Sequence, residues 1–146
     1  MSMFCYQCQE AAKGTGCEIK GVCGKTESTA ILQDTLLHTA RGVATYTVAL
    51  RRDGIFDTTA SSWILDALFT TITNANFDDE AIFAKIQGGI ALRARLADLA
   101  ERSEILVPFG LGEAATFAVA DLSDALAVGA GFGVLRTGNE DIRSLR

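Results

Sequence analysis

"MFCYQCQEAAKGTGCEIKGVCGK", residues 3–25, contains all four cysteines of the 146-residue chain: Cys5, Cys8, Cys17 and Cys23. Their spacing is Cys-x2-Cys-x8-Cys-x5-Cys, with Gly14, Gly16, Gly21 and Gly24 beside or between them. Incidental cysteines in a flexible loop would not gather every thiol into one stretch and leave none elsewhere. The stretch therefore reads as a metal-binding loop, and it divides the chain into a cysteine-rich segment, residues 1–26, and a remainder that must supply the core.

Three chemistries compete for the four thiols. Two disulfides would need an oxidising compartment, and the sequence shows no route to one. A structural zinc site normally uses two knuckles, each with a Cys-x2-Cys pair, and only one such pair is present here. An iron–sulfur cluster suits the surroundings better. Glycines let backbone N–H groups approach sulfur, Phe4, Tyr6, Ile19 and Val22 can form an apolar lid, and Lys13, Lys20 and Lys25 can offset the negative charge of a tetrathiolate group.

The bulk properties narrow the setting. A length of 146 residues suits one domain, and 49% apolar with 21% charged residues is a globular composition. A net charge of −5 argues against non-specific nucleic-acid binding. The opening "MSMFCYQC" lacks the basic end and apolar run of a signal peptide. The longest apolar run, "ALAVGAGFGVL" (Ala125 to Leu135), is about half of the ~20 residues that span a membrane. The expectation is a soluble, cytoplasmic protein with no membrane partner.

Beyond Lys25 the periodicity is helical. Leu32, Leu36, Ala40, Val43 and Leu50 recur at three- and four-residue steps, which predicts a helix from about Ser28 to Arg52 that ends at Asp53-Gly54. Ile64, Leu65, Leu68, Phe69 and Ile72 mark a second from about Ser61 to Asn74, although its "TTIT" also suits a strand. Asn76 or Asp78 can cap a third helix, with Asp79 and Glu80 in its first turn. That helix carries Ile82, Ile86, Ile90, Leu96 and Leu99 to about Arg102, and its Gly88-Gly89 pair needs a closely packed neighbour. A fourth is expected from Glu113 to Val128. The fold class is all-α: a helical bundle over residues 27–138, with the cluster-binding loop at one end. At residues 139–146, Asn139 caps a further helix bearing Ile142 and Leu145. Seven residues make a marginal helix, so the expectation is a chain that continues in the complete protein.

"MFCYQCQEAAKGTGC" followed by "KGVCGK" resembles the N-terminus of the hybrid cluster proteins, also called prismane proteins or hydroxylamine reductases. The similarity extends through "LQDTLL" (Leu32 to Leu37), "TITNANFDD" (Thr71 to Asp79) and "NEDIRSLR" (Asn139 to Arg146), and is weakest between about Arg102 and Arg136. The resemblance implies that Cys5, Cys8, Cys17 and Cys23 together hold one 4Fe–4S cluster; family members with a 2Fe–2S cluster have longer separations. It also implies a complete enzyme that reduces hydroxylamine to ammonia, or nitric oxide to nitrous oxide, at a separate iron–sulfur–oxo cluster. The histidine, glutamate and cysteine ligands of that hybrid centre would lie beyond Arg146, so no catalytic residue falls in this chain and the fragment alone is expected to be inactive. Its partners would be a redox protein that donates electrons and the remainder of the enzyme, and a homo-oligomer is compatible with this arrangement. A freestanding iron–sulfur carrier and a structural zinc domain are the other function classes.

Other candidates yield to simpler readings. His38, the one histidine, reads as a surface or packing residue. Asp78, Asp79 and Glu80 read as a solvated helix start. "GAGFGV" (Gly129 to Val134) lacks the glycine spacing and βαβ context of a dinucleotide loop. Trp63, Phe69 and Phe83 are expected in the core.

Overall fold

The computed structural model describes residues 3–73, 75, 77–107 and 112–144. Five α-helices follow the cysteine loop: α1 (Glu27–Arg52), α2 (Thr58–Ile72), α3 (Asp79–Arg102), α4 (Leu122–Gly129) and α5 (Glu140–Ser144). Among the described residues there is no strand, only a single bridge between Cys5 and Cys17. The fold is all-α, as the periodicity implied.

Helix α1 is the hub, packed against α2, α3, α4 and a 3₁₀ turn at Glu113–Ala115. Its stripe is wholly inside: Leu32, Leu36, Val43 and Leu50 have no exposed surface. Burial of each such side chain contributes about 1.5–3 kcal/mol. Leu32 and Leu36 meet Ile82, Ile86 and Phe83 of α3, while Val43 and Leu50 meet Leu92, Leu96 and Ala100. The Gly88-Gly89 pair has the close neighbour it requires: a Cβ on Gly89 would lie 2.3 Å from the Trp63 ring of α2 and 2.7 Å from Thr39 of α1.

The helix starts are capped by side chains. Thr26 accepts from the Thr29 N–H, Asp57 from that of Ala60, and Asp78 from that of Ala81. Asn76, the other candidate cap, lies outside the described residues. Asp79 does more than favour a solvated first turn: it accepts from the Thr29 hydroxyl at 2.6 Å and so fastens the start of α3 to that of α1. Asp57 also pairs with Arg95 of α3 at 2.8 Å. Burial pushes the Asp57 carboxyl up, but the Ala60 N–H and the Arg95 guanidinium together hold it below its ordinary value. Its stabilisation is therefore present above the unfolded carboxylate pKa and lost as pH falls through the lowered folded one.

Two expectations need correction. The apolar stripe of α2 mostly faces outward: Leu65 is 70% and Phe69 61% exposed, with Leu68 and Ile72 also exposed, so Phe69 is not core. The buried face is Ala60, Ala67, Thr70 and Thr71. Small residues let α2 sit close to α1 and α3, and Thr70 and Thr71 satisfy their hydroxyls on the carbonyls of Asp66 and Leu68. Packing of this small-residue face on α1 and α3 overrides the weak helix propensity of "TTIT", and the helix ends at Ile72 with Thr73 as its C-cap.

The fourth helix does not begin at Glu113. Only Glu113–Ala115 turns, as a 3₁₀ segment, and α4 starts at Leu122. Arg93, buried on α3, donates to the carbonyls of Ala114 and Phe117, which a continuous helix would need for itself. Asp121 then caps the new helix, accepting from Asp124 N–H at 2.8 Å. The freed Phe117 enters the core edge-on to His38, which stacks at 3.8 Å on Phe132 of the "GAGFGV" loop. His38 is thus a packing residue. Asn139 caps α5 through the N–H of Ile142; Leu145 lies outside the described residues.

Gly42 is the tightest point of this arrangement. A Cβ there would lie 2.1 Å from the Ala114 carbonyl oxygen that Arg93 holds. We expect Gly42→Ala to lower stability by up to about 2 kcal/mol in urea denaturation. Overpacking of about 1–3 kcal/mol outweighs the ~1 kcal/mol that alanine adds in helix propensity.

Candidate metal centre

The cysteine loop folds back on itself ahead of α1. Cys5 N–H donates to the Cys17 carbonyl at 3.0 Å, and Cys17 N–H donates to that of Cys5 at 2.9 Å. Residues paired in this reciprocal way present both side chains on one face, with Cα atoms about 5.5 Å apart. The return is made through a 3₁₀ turn at Ala12–Gly14, in which Lys13 takes the left-handed conformation. Met3 and Cys17 bury against Ala30 of α1, with Cys5 and Ala12 at the edge, and this contact seats the loop on the helix.

The second turn, Gly21 to Lys25, is closed by Gly24 N–H on the Gly21 carbonyl and Gly21 N–H on the Lys25 carbonyl, both at 2.8 Å. Gly21 cannot be replaced without a clash, since a Cβ would stand 2.8 Å from Lys25 Cβ and 3.1 Å from Cys23 Sγ. Gly24, at φ 96°, supplies the left-handed residue that turns the chain into α1.

Polar groups converge on sulfur. Cys17 Sγ accepts the Ala12 N–H at 3.4 Å and also the N–H of Val22. Those two donors, with the Lys25 charge added, outweigh burial and hold the Cys17 thiol below its ordinary pKa. The Lys25 ammonium donates to Cys5 Sγ at 3.4 Å and to Gln7 Oε1 at 3.1 Å.

All four cysteines are free. The structure brings Cys5 and Cys17 together on one face; Cys8 is half-buried in the turn after Gln7, and Cys23 is exposed on the second turn. Among the described residues no three Cys, His, Asp or Glu side chains converge closely enough to enclose one metal ion. The donor set nevertheless fits an anionic, thiolate-held group: four free thiols on one short loop, N–H donors at one sulfur and an ammonium at another.

Of the expected apolar lid, Tyr6, Ile19 and Val22 are exposed, whereas Phe4 is half-buried with its ring against Gly16. Cys17 is covered by Met3 and by Ala30 of α1, with Cys5 at the edge of that cluster. The lysines also differ. Lys13 and Lys20 are exposed, whereas Lys25 is buried. Gln7 was not singled out by sequence; its place inside the Cys-x2-Cys pair was the available signal. An open cleft of about 660 Å³ leads to Cys5, lined by Phe4, Tyr6, Gln33, Asp34, Leu135 and Arg143 among others. No helix among the described residues is long and apolar enough to cross a membrane.

Fold and site together define a class: an all-α domain that carries a four-cysteine loop on the first turn of its central helix. The chain belongs to the Prismane/CO dehydrogenase family, whose sequence pattern it matches over residues 3–145. It is 48% identical over its full length to a hydroxylamine reductase of Bacteroides fragilis and 50% identical to one of Bacteroides thetaiotaomicron, covering 26% of each. A hydroxylamine reductase of Desulfitobacterium hafniense is 46% identical, with 27% of its length covered. The chain thus spans about a quarter of the curated relatives it matches.

Burial sets the order in which the thiols can be reached. In metal-free protein, iodoacetamide under native conditions should label Cys23 first and Cys17 last, read by peptide mass spectrometry. Loading with metal should protect all four. Unchanged labelling of Cys8 or Cys23 after loading would remove that residue from the ligand set.

Proposed function

We propose that this chain is the N-terminal electron-transfer portion of a hybrid cluster protein, and that Cys5, Cys8, Cys17 and Cys23 hold a 4Fe–4S cluster. The observation that carries the reading is the facing pair of Cys5 and Cys17, each sulfur with a hydrogen-bond donor beside it. When bound, such a cluster supplies a site that accepts and releases one electron at a time.

The chain's own residues bind, orient and shield. Cys5 and Cys17 are pre-set by the backbone pair; Cys8, in the turn after Gln7, and Cys23, on the Gly21–Gly24 turn, would complete the ligand set when the group is bound. The Ala12 and Val22 N–H groups and the Lys25 ammonium offset the charge of the thiolates. The exposed Tyr6, Ile19 and Val22 form the surface against which a redox partner brings its electrons. In the whole enzyme those electrons serve the reduction of hydroxylamine to ammonia and water, which takes two electrons and two protons, or of nitric oxide to nitrous oxide. That chemistry belongs to a second centre in the remaining polypeptide, and the isolated chain does not perform it.

Two measurements test this. Anaerobically reconstituted chain should be brown, with iron and acid-labile sulfide in equal amounts and the magnetic resonance and Mössbauer spectra of a cubane. Stoichiometric zinc without sulfide, or two-iron spectra, would contradict the assignment. In a protein of the relatives' full length, Cys17→Ser should lower hydroxylamine reduction with a protein electron donor by at least about tenfold. The fragment should show no turnover.

A further inference from the structure

Lys25 is 1% exposed, so its ammonium lies wholly within the protein. Its partners are Cys5 Sγ and the neutral Gln7 Oε1, and among the described residues no carboxylate forms an ion pair with it. A buried cation without a carboxylate demands another anion, and the groups within reach are sulfurs. Nor can the side chain leave easily: Gly21 N–H holds the Lys25 carbonyl, and the next residue, Thr26, is the cap of α1. Lys13 and Lys20 carry the same charge on the same loop but stand in solvent, where water and salt screen them.

We propose that Lys25, positioned by Gln7, is the fixed positive charge that sets the reduction potential of the cysteine loop. The inference rests on the cluster reading above. Reduction transfers one electron from a low-potential donor to a site that is already anionic, leaving the donor oxidised and the site one unit more negative. A cation held against Cys5 Sγ in a water-poor setting favours the reduced form and raises the midpoint. The lysine is a positioning and tuning residue; the cysteines remain the ligands.

The test is a dithionite titration of anaerobically prepared, iron- and sulfide-loaded protein, followed by electron paramagnetic resonance. Lys25→Met should lower the midpoint by the equivalent of about tenfold in the reduced-to-oxidised ratio, about 59 mV for a one-electron couple. Lys25→Arg keeps the charge and should stay near wild type, as should Lys20→Met, which removes an exposed charge. A Lys25→Met midpoint equal to wild type overturns the proposal, as does an equal shift in Lys20→Met. Should Lys25→Met fail to retain iron, Lys25→Gln, neutral and still able to reach Gln7, carries the measurement under the same criteria. Loss of iron from both neutral variants, with Lys25→Arg loading normally, would make Lys25 a requirement for holding the group and not a charge that tunes it, and overturns the proposal. Wild-type protein that takes up no iron and sulfide overturns the cluster reading and this proposal with it. A loaded wild type whose midpoint ignores Lys25 overturns this proposal alone.

Discussion

Helix α1 packs against α2, α3, α4 and the turn at Glu113–Ala115, and the rest of the molecule follows from the need to bury its apolar face. A helix of 26 residues with Leu32, Leu36, Val43 and Leu50 fully enclosed must collect partners along its whole length. It finds them in α3 along its length, in α2 across small residues, and in the segment around Ala114, which reaches the helix only because Gly42 has no side chain. The same helix offers Ala30 to Met3 and Cys17, so the cysteine loop is seated by the first turn of the core. The site inherits its footing from the bundle.

That footing leaves the loop with little apolar contact of its own. Among the described residues Met3, Cys17 and Ala30 form its buried cluster, with Cys5 and Ala12 at the edge, and Tyr6, Ile19 and Val22 stand in water. What orders it is polar: a two-bond backbone pair, two glycine turns, and N–H and ammonium donors aimed at sulfur. Such a loop is tied to the charge state of its thiols, whereas the bundle is tied to its leucines and isoleucines. The two parts therefore answer to different physical controls, although they touch through Ala30.

The sequence was legible where one signal dominated. The α1 and α3 stripes are aliphatic at helical spacing and face the core they implied, and a cysteine block with nothing elsewhere to compete marks its own chemistry. Legibility failed where a tertiary partner decided the outcome. The α2 stripe has the right period, but small and hydroxyl-bearing residues on its other side allow closer packing than Leu65 and Phe69 would, so the apolar face turned outward. The helix expected from Glu113 was broken by Arg93, which lies twenty residues away and takes two of its carbonyls. Of three lysines that looked equivalent in the loop, burial selected Lys25. Composition and periodicity carry no information about which of several like charges is enclosed.

The central claim is that a core-driven helical bundle carries a loop whose order depends on what its thiolates hold. Hydrogen exchange of anaerobically prepared protein before and after iron removal reads this residue by residue. The account predicts that residues 3–25 lose protection on chelation while the interiors of α1, α2 and α3 keep theirs. Loss spread evenly along the chain, reaching Leu50 and Leu96 as fully as Cys17, would show that the metal holds the whole domain together and would contradict it.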